Sequence, residues 1–121
     1  MKPDAYIKLC PSRAILTRLS NKWSMLILTL LSQHPTIRFG ALKKEIDGIS
    51  QKVLTQTLRH LERDGLIKRQ VYDEMPLRVE YALTPLAKSL APIINQFKQW
   101  TEKNMTEVIS CNDKYDQHKN S

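Results

Sequence analysis

Glycine is scarce in this chain, three residues in 121, and nothing resembles a glycine-rich phosphate loop. A nucleotide-binding site of that kind is therefore not expected. Histidine is equally sparse. His34, His60 and His118 are scattered, and no HExxH or GxSxG spacing exists, so zinc-protease and serine-hydrolase chemistry lack their residues. The two cysteines, Cys10 and Cys111, sit near opposite ends without a CxxC spacing. Neither a structural disulfide nor a zinc site is expected, and a reducing cytoplasm is the default. The longest apolar run, Met25 to Leu31, is too short to span a bilayer, and no signal-peptide pattern precedes it. These absences argue against an enzyme, a bound metal or cofactor, and a membrane partner.

What remains is the composition of one soluble domain with a modest core: 41% hydrophobic and 26% charged residues. The net charge of +7 favours a polyanionic partner. The excess is uneven. Lys2, Lys8, Arg13, Arg18 and Lys22 face only Asp4 in the first 35 residues, whereas residues 36–80 hold nine basic and seven acidic side chains. Charge alone is weak support for nucleic-acid binding, so arrangement must carry the case.

The most informative stretch is Gly48 to Gly65. It reads as one helix with both ends marked, Ser50 as N-cap and Gly65 as the left-handed residue that closes it. Val53 stands where a full capping box would need Glu or Gln. Leu54, Leu58 and Leu61 form a buried stripe. Gln51, Lys52, Thr55, Gln56 and Arg59 face the other way, side chains of the types that read base edges and phosphates. Taken alone, the helix reads first as an ordinary solvated amphipathic helix. Its neighbours change that reading.

Residues 1–11 read as an arm, because Pro3 and Pro11 discourage helix. Ser12 caps a short helix to about Leu19. A second helix, Lys22 to Gln33, has almost no polar face. Such a helix is buried on several sides, either by the domain core and a partner subunit together or as the central helix of a monomer. Thr36–Arg38 is a short strand, and Phe39–Ile46 a short helix. Asp47-Gly48 turns into the Ser50 helix, giving a helix-turn-helix unit. Leu66–Asp73 is a strand with imperfect alternation, since Arg69 shares parity with Ile67 and Val71. Its stem must snorkel, or the strand must bulge. Residues 74–77 are a loop, and Arg78–Leu83 alternates with Val79, Tyr81 and Leu83 inward. A hairpin after a helix-turn-helix is a wing. Thr84-Pro85 opens a last helix to about residue 108, which Pro92 should kink or interrupt. The remainder, residues 109–121, is poor in aliphatic anchors and reads as a disordered tail.

The fold class is thus mainly α with a small β-hairpin: an arm (1–11), a winged helix-turn-helix (12–108) whose last helix spans about 85–108, and the tail. At this point the sequence resembles the HxlR-type winged-helix transcription regulators, bacterial relatives of the MarR group. The carrying residues are Cys10-Pro11, Lys22-Trp23, Arg38-Phe39, and Ile49-Ser50 with Lys52 and Leu54-Thr55. Leu58-Arg59, Leu61-Glu62, Asp64-Gly65-Leu66-Ile67, Pro76, Val79-Glu80-Tyr81 and Leu83-Thr84 follow, then Leu90, Pro92 and Trp100. One departure is Ala87, where that family commonly has glycine.

The resemblance implies a homodimeric DNA-binding repressor or activator of the bacterial cytoplasm, its dimer built by the arm and the terminal helices. Base reading is expected from Ser50, Gln51, Lys52, Thr55, Gln56 and Arg59, on an inverted-repeat operator. Phosphate contacts are expected from Lys22, Arg38, Arg69 and Arg78, and dimer contacts from Leu26, Leu90, Ile94, Phe97 and Trp100. The acidic loop residues Asp73 and Glu74 favour backbone contact over deep insertion of the wing. The effector is not readable. Cys10, beside a helix start with Lys8 and Arg13 nearby, suits a lowered thiol pKa and hence a redox sensor. It equally suits a small buried hydrophobe anchoring the arm. Cys111 reads as incidental. The alternative function is a winged helix that binds another protein and reads no DNA sequence.

Overall fold

A computed structural model describes residues 11–120 of the chain. The arm, including Cys10, lies outside the described residues. The elements run α1 (Pro11–Leu19), α2 (Lys22–Gln33), β1 (Ile37–Arg38), α3 (Phe39–Glu45), α4 (Gln51–Arg63), β2 (Ile67–Tyr72), β3 (Arg78–Leu83), α5 (Pro85–Lys88) and α6 (Ala91–Asn120). The strands form an antiparallel sheet in the order β1-β3-β2. This is a winged helix.

The ends of α4 follow from local chemistry. Ser50 Oγ accepts a hydrogen bond from the Val53 N–H at 3.1 Å, satisfying one donor the first turn leaves orphaned. At the other end Leu66 N–H donates to the Leu61 carbonyl, and Gly65 N–H to the Glu62 carbonyl, both at 3.0 Å. That pair of bonds is a Schellman closure, and it requires the left-handed φ of 77° at Gly65. Leu66 then drops into the core beside the helix it has just left.

The core forms around α2, which lies against α4, α6 and β3. Ile27, Leu28 and Leu31 of α2 meet Leu42 of α3, Leu54, Leu58 and Leu61 of α4, and Ile67, Tyr81 and Leu83 of the sheet. α2 is not buried all round: Leu26 remains 45% exposed.

Three expectations are corrected. Helix α1 begins at Pro11, so Ser12 lies inside its first turn rather than before it; proline's missing N–H is no loss there. The last helix is interrupted, but at Ser89-Leu90 rather than at Pro92; it restarts at Ala91, which places Pro92 in a first turn. The tail is not disordered: α6 continues to Asn120. Val108, Cys111 and Tyr115 prolong the helical spacing of Phe97, Thr101 and Asn104, and no proline or glycine interrupts it. Composition suggested a tail where periodicity specified a helix.

Candidate nucleic-acid interface

Because Leu54, Thr57, Leu58 and Leu61 of α4 are buried, the opposite face is fixed by helical geometry. Lys52, Gln56, Arg59 and Arg63 recur there at four- and three-residue steps, and all four are exposed. Arg63 was not among the residues expected from sequence. Its signal was present, since it continues the Lys52–Gln56–Arg59 stripe by one more turn. Among the described residues Lys52, Arg59 and Arg63 make no ion pair, so none of these neutralises their charge.

Gln51 is exposed but turned toward the wing side of the stripe, and Thr55 is half-buried there. Thr55, Arg59, Glu62, Arg69, Phe39 and Tyr81 line one small hollow between α4 and the sheet. Ser50 Oγ is engaged as the cap acceptor, but its hydroxyl proton is left to donate to a ligand. Burial pushes the Tyr81 phenol above its ordinary pKa; Arg69 opposes this, Glu62 adds to it, and Arg59 opposes it. Tyr81 is therefore a neutral phenol at physiological pH.

The expected phosphate contacts divide into two groups. Lys22 and Arg38 are exposed and make no ion pair among the described residues. The Lys22 ammonium lies over the Trp23 ring, 4.4 Å from its centroid, beside a groove that Gln56 also lines. Arg38 is the N-cap residue of α3. Arg69 and Arg78, by contrast, are already engaged. Arg69 Nε is 3.7 Å from Glu62 Oε1. The strand has no bulge: Arg69 stands opposite Tyr81 in regular register, and its guanidinium snorkels outward. Arg78 is paired with Glu74 and Glu80 and stacked on Tyr72. Phosphate contact by Arg69 or Arg78 has to compete with these pairs.

Arg38, Arg69 and Arg78 nevertheless come together with Lys44 around a cleft of about 760 Å³ between α3 and the wing. Phe39, Val79, Tyr81, Pro76 and Leu77 give it an apolar lining. Lys44 makes no ion pair among the described residues and was missed from sequence. Only the folding of α3 against the hairpin brings it to this cleft.

A second exposed surface is apolar. Phe97, Trp100, Met105, Val108, Ile109 and Tyr115 of α6 are between 46% and 65% exposed, as are Ile15 and Leu16 of α1. Leu90 and Ile94 do not belong to it. Ile94 is buried and Leu90 packs against the core, so both hold α6 to its own domain rather than facing a partner. Cys111 is exposed on the ordered helix between Val108 and Tyr115, not in a loose tail.

Comparison with known proteins places this geometry in context. A family model described as HxlR-like helix-turn-helix matches residues 18–109. YtfH of Escherichia coli, named an uncharacterized HTH-type transcriptional regulator, is 38% identical over 110 residues, covering 91% of this chain and 86% of that protein. The solved structure of ytfH from Salmonella typhimurium superposes with a TM-score of 0.85 at 34% identity, covering 93% of this chain and 99% of the other. The redox regulator HypR in its oxidized form superposes at 0.72 with 36% identity, covering 78% and 97%.

Proposed function

Because this chain belongs to the HxlR-like helix-turn-helix family, we propose that it is a dimeric transcription regulator that reads an inverted-repeat operator through α4. The observation that carries this reading is the exposed stripe Lys52, Gln56, Arg59 and Arg63. Three cations unpaired among the described residues and one amide stand on the outer face of a helix whose inner face is the domain core. Arginine suits guanine O6 and N7, and glutamine suits adenine N6 and N7. Lys22 on one flank, and Arg38 and Lys44 on the other, are positioned for phosphates, which fix register rather than read sequence. Such a protein works in the compartment that holds the chromosome.

The proposed dimer uses the exposed apolar surfaces of α1, α2 and α6. A two-fold assembly of this kind sets its recognition helices about 34–36 Å apart, one turn of DNA. Sequencing the genomic DNA that the purified protein retains tests the proposal. The expected result is an inverted repeat with half-sites one helical turn apart. Retention of DNA with no shared motif would count against sequence-specific reading.

Control by oxidants is the remaining part of the proposal. Its support is the sequence setting of Cys10 together with the likeness to HypR, titled a redox regulator. A thiolate beside a helix start and cations is the form that oxidants attack. Diamide is expected to change operator affinity in the natural protein and not in Cys10→Ser. A Cys10→Ser variant that responds like the natural protein would make Cys10 structural.

A further inference from the structure

One arginine in the wing is tied into the fold in a way that separates its charge from its use. Tyr72 and Arg78 are the final cross-strand pair before the loop Asp73–Leu77. The Arg78 guanidinium carbon lies 3.9 Å from the centroid of the Tyr72 ring. Its Nη2 is 3.2 Å from Glu74 Oε1 in the loop, and its Nη1 is 3.8 Å from Glu80 Oε1 in β3. Its Nε is buried and has no hydrogen-bond partner. One planar side chain therefore touches the end of β2, the loop, and the body of β3.

That arrangement leaves little for a phosphate. Two carboxylates flank the cation, one face is covered by a ring, and a third nitrogen cannot be reached from outside. Arg38 and Lys44 line the same cleft and make no ion pair among the described residues. We propose that Arg78 is a positioning residue for the wing: it holds the loop Asp73–Leu77 in the place from which the wing approaches DNA. Arg38 and Lys44 make the phosphate contacts on that side. The inference rests on the DNA-binding reading above, and part of its test needs no DNA.

Lysine keeps the charge of arginine but not its planar fork and stacking face. Arg78→Lys and Arg78→Gln are therefore expected to weaken operator binding alike, by roughly 10-fold, with the slope of log K against log salt unchanged. Arg38→Gln and Lys44→Gln should each flatten that slope by about one unit. Glu74→Gln is the sharpest variant, because its exposed site threatens no core packing. Removing a carboxylate near a polyanion ordinarily tightens binding, and it would do so if Arg78 were a phosphate ligand freed of its partner. A positioning role predicts weaker binding instead. Independently of DNA, amide hydrogen exchange across Asp73–Leu77 should accelerate in Arg78→Lys and Glu74→Gln while the exchange of α4 stays as in the natural protein. Natural affinity in Arg78→Lys, unchanged or tighter binding in Glu74→Gln, or unaltered exchange in the loop would each overturn the inference. If the natural protein binds no DNA while loop exchange still accelerates, the DNA reading fails and the loop-holding contact stands.

Discussion

Replacing Trp100 with aspartate is expected to split the proposed dimer and, through that, to weaken operator binding by roughly two to four orders of magnitude. Helix α6 has 30 residues and is roughly 45 Å long, and Ile94, near its start, is the only one buried among its described side chains. Beyond it Phe97, Trp100, Met105, Val108, Ile109 and Tyr115 lie against nothing within the described residues that hides them from water. A helix gains most of its stability by burying such a face, and the proposed two-fold operator calls for a second copy as its occupant. A centrally placed Trp typically contributes 2 kcal/mol or more to an interface, and a buried carboxylate without a partner adds to the loss. Because Trp100 is 60% exposed in the single chain, the variant domain should remain folded. Light scattering reads the assembly, and circular dichroism checks the fold. Trp100→Asp remaining a dimer at micromolar concentration would remove α6 from the interface.

The second large effect is on base reading. Arg59 stands at the middle of the exposed stripe, with Gln56 and Arg63 beside it and no carboxylate of the described residues in ion-pair reach. Glu62, one turn away on the wing side, is directed to Arg69 instead. Arg59→Ala is expected to weaken operator binding by about 1–3 kcal/mol and to relax preference at one base pair of each half-site. Gln56→Ala should act similarly at a different base pair. Affinity for random DNA should fall much less than affinity for the operator. Equal losses on both would reassign Arg59 to phosphate contact.

How much of this was legible beforehand depended on how local the deciding physics was. The bounds of α4 were readable because Ser50 and Gly65 act within a few residues of themselves. The same holds for β3, whose alternation is clean, and for Thr84, whose Oγ accepts the Ala87 N–H as its place before Pro85 suggested. The state of the arginines was not readable. Whether Arg69 and Arg78 are free depends on Glu62 of α4, on Glu74 of the loop and on Tyr72 across the hairpin, contacts that exist only after folding. Lys44 was missed for the same reason. Ile94 shares a stripe with Phe97, yet the first turn of α6 lies on α2 while the rest of the helix leaves the domain, so one stripe has two fates. The end of α6 was misread for a different reason: the scarcity of aliphatic anchors was weighed above the spacing of Val108, Cys111 and Tyr115. Arg63 needed only one more turn of the pattern already in hand.

The central claim is that the exposed face of α4, with its flanking cations, binds a nucleic acid rather than another protein. The salt dependence of binding tests it most directly, with the retained genomic fragment and a random duplex measured side by side. Each phosphate neutralised by a cation releases condensed counterions, so log K should fall linearly with log salt at a slope of about −0.9 per contact. With Lys22, Arg38, Lys44 and further cations of both subunits engaged, affinity should drop by orders of magnitude between low and physiological salt, and the fragment should stay tighter than the random duplex throughout. A flat salt response, or equal affinity for the two DNAs at every salt concentration, would contradict the account.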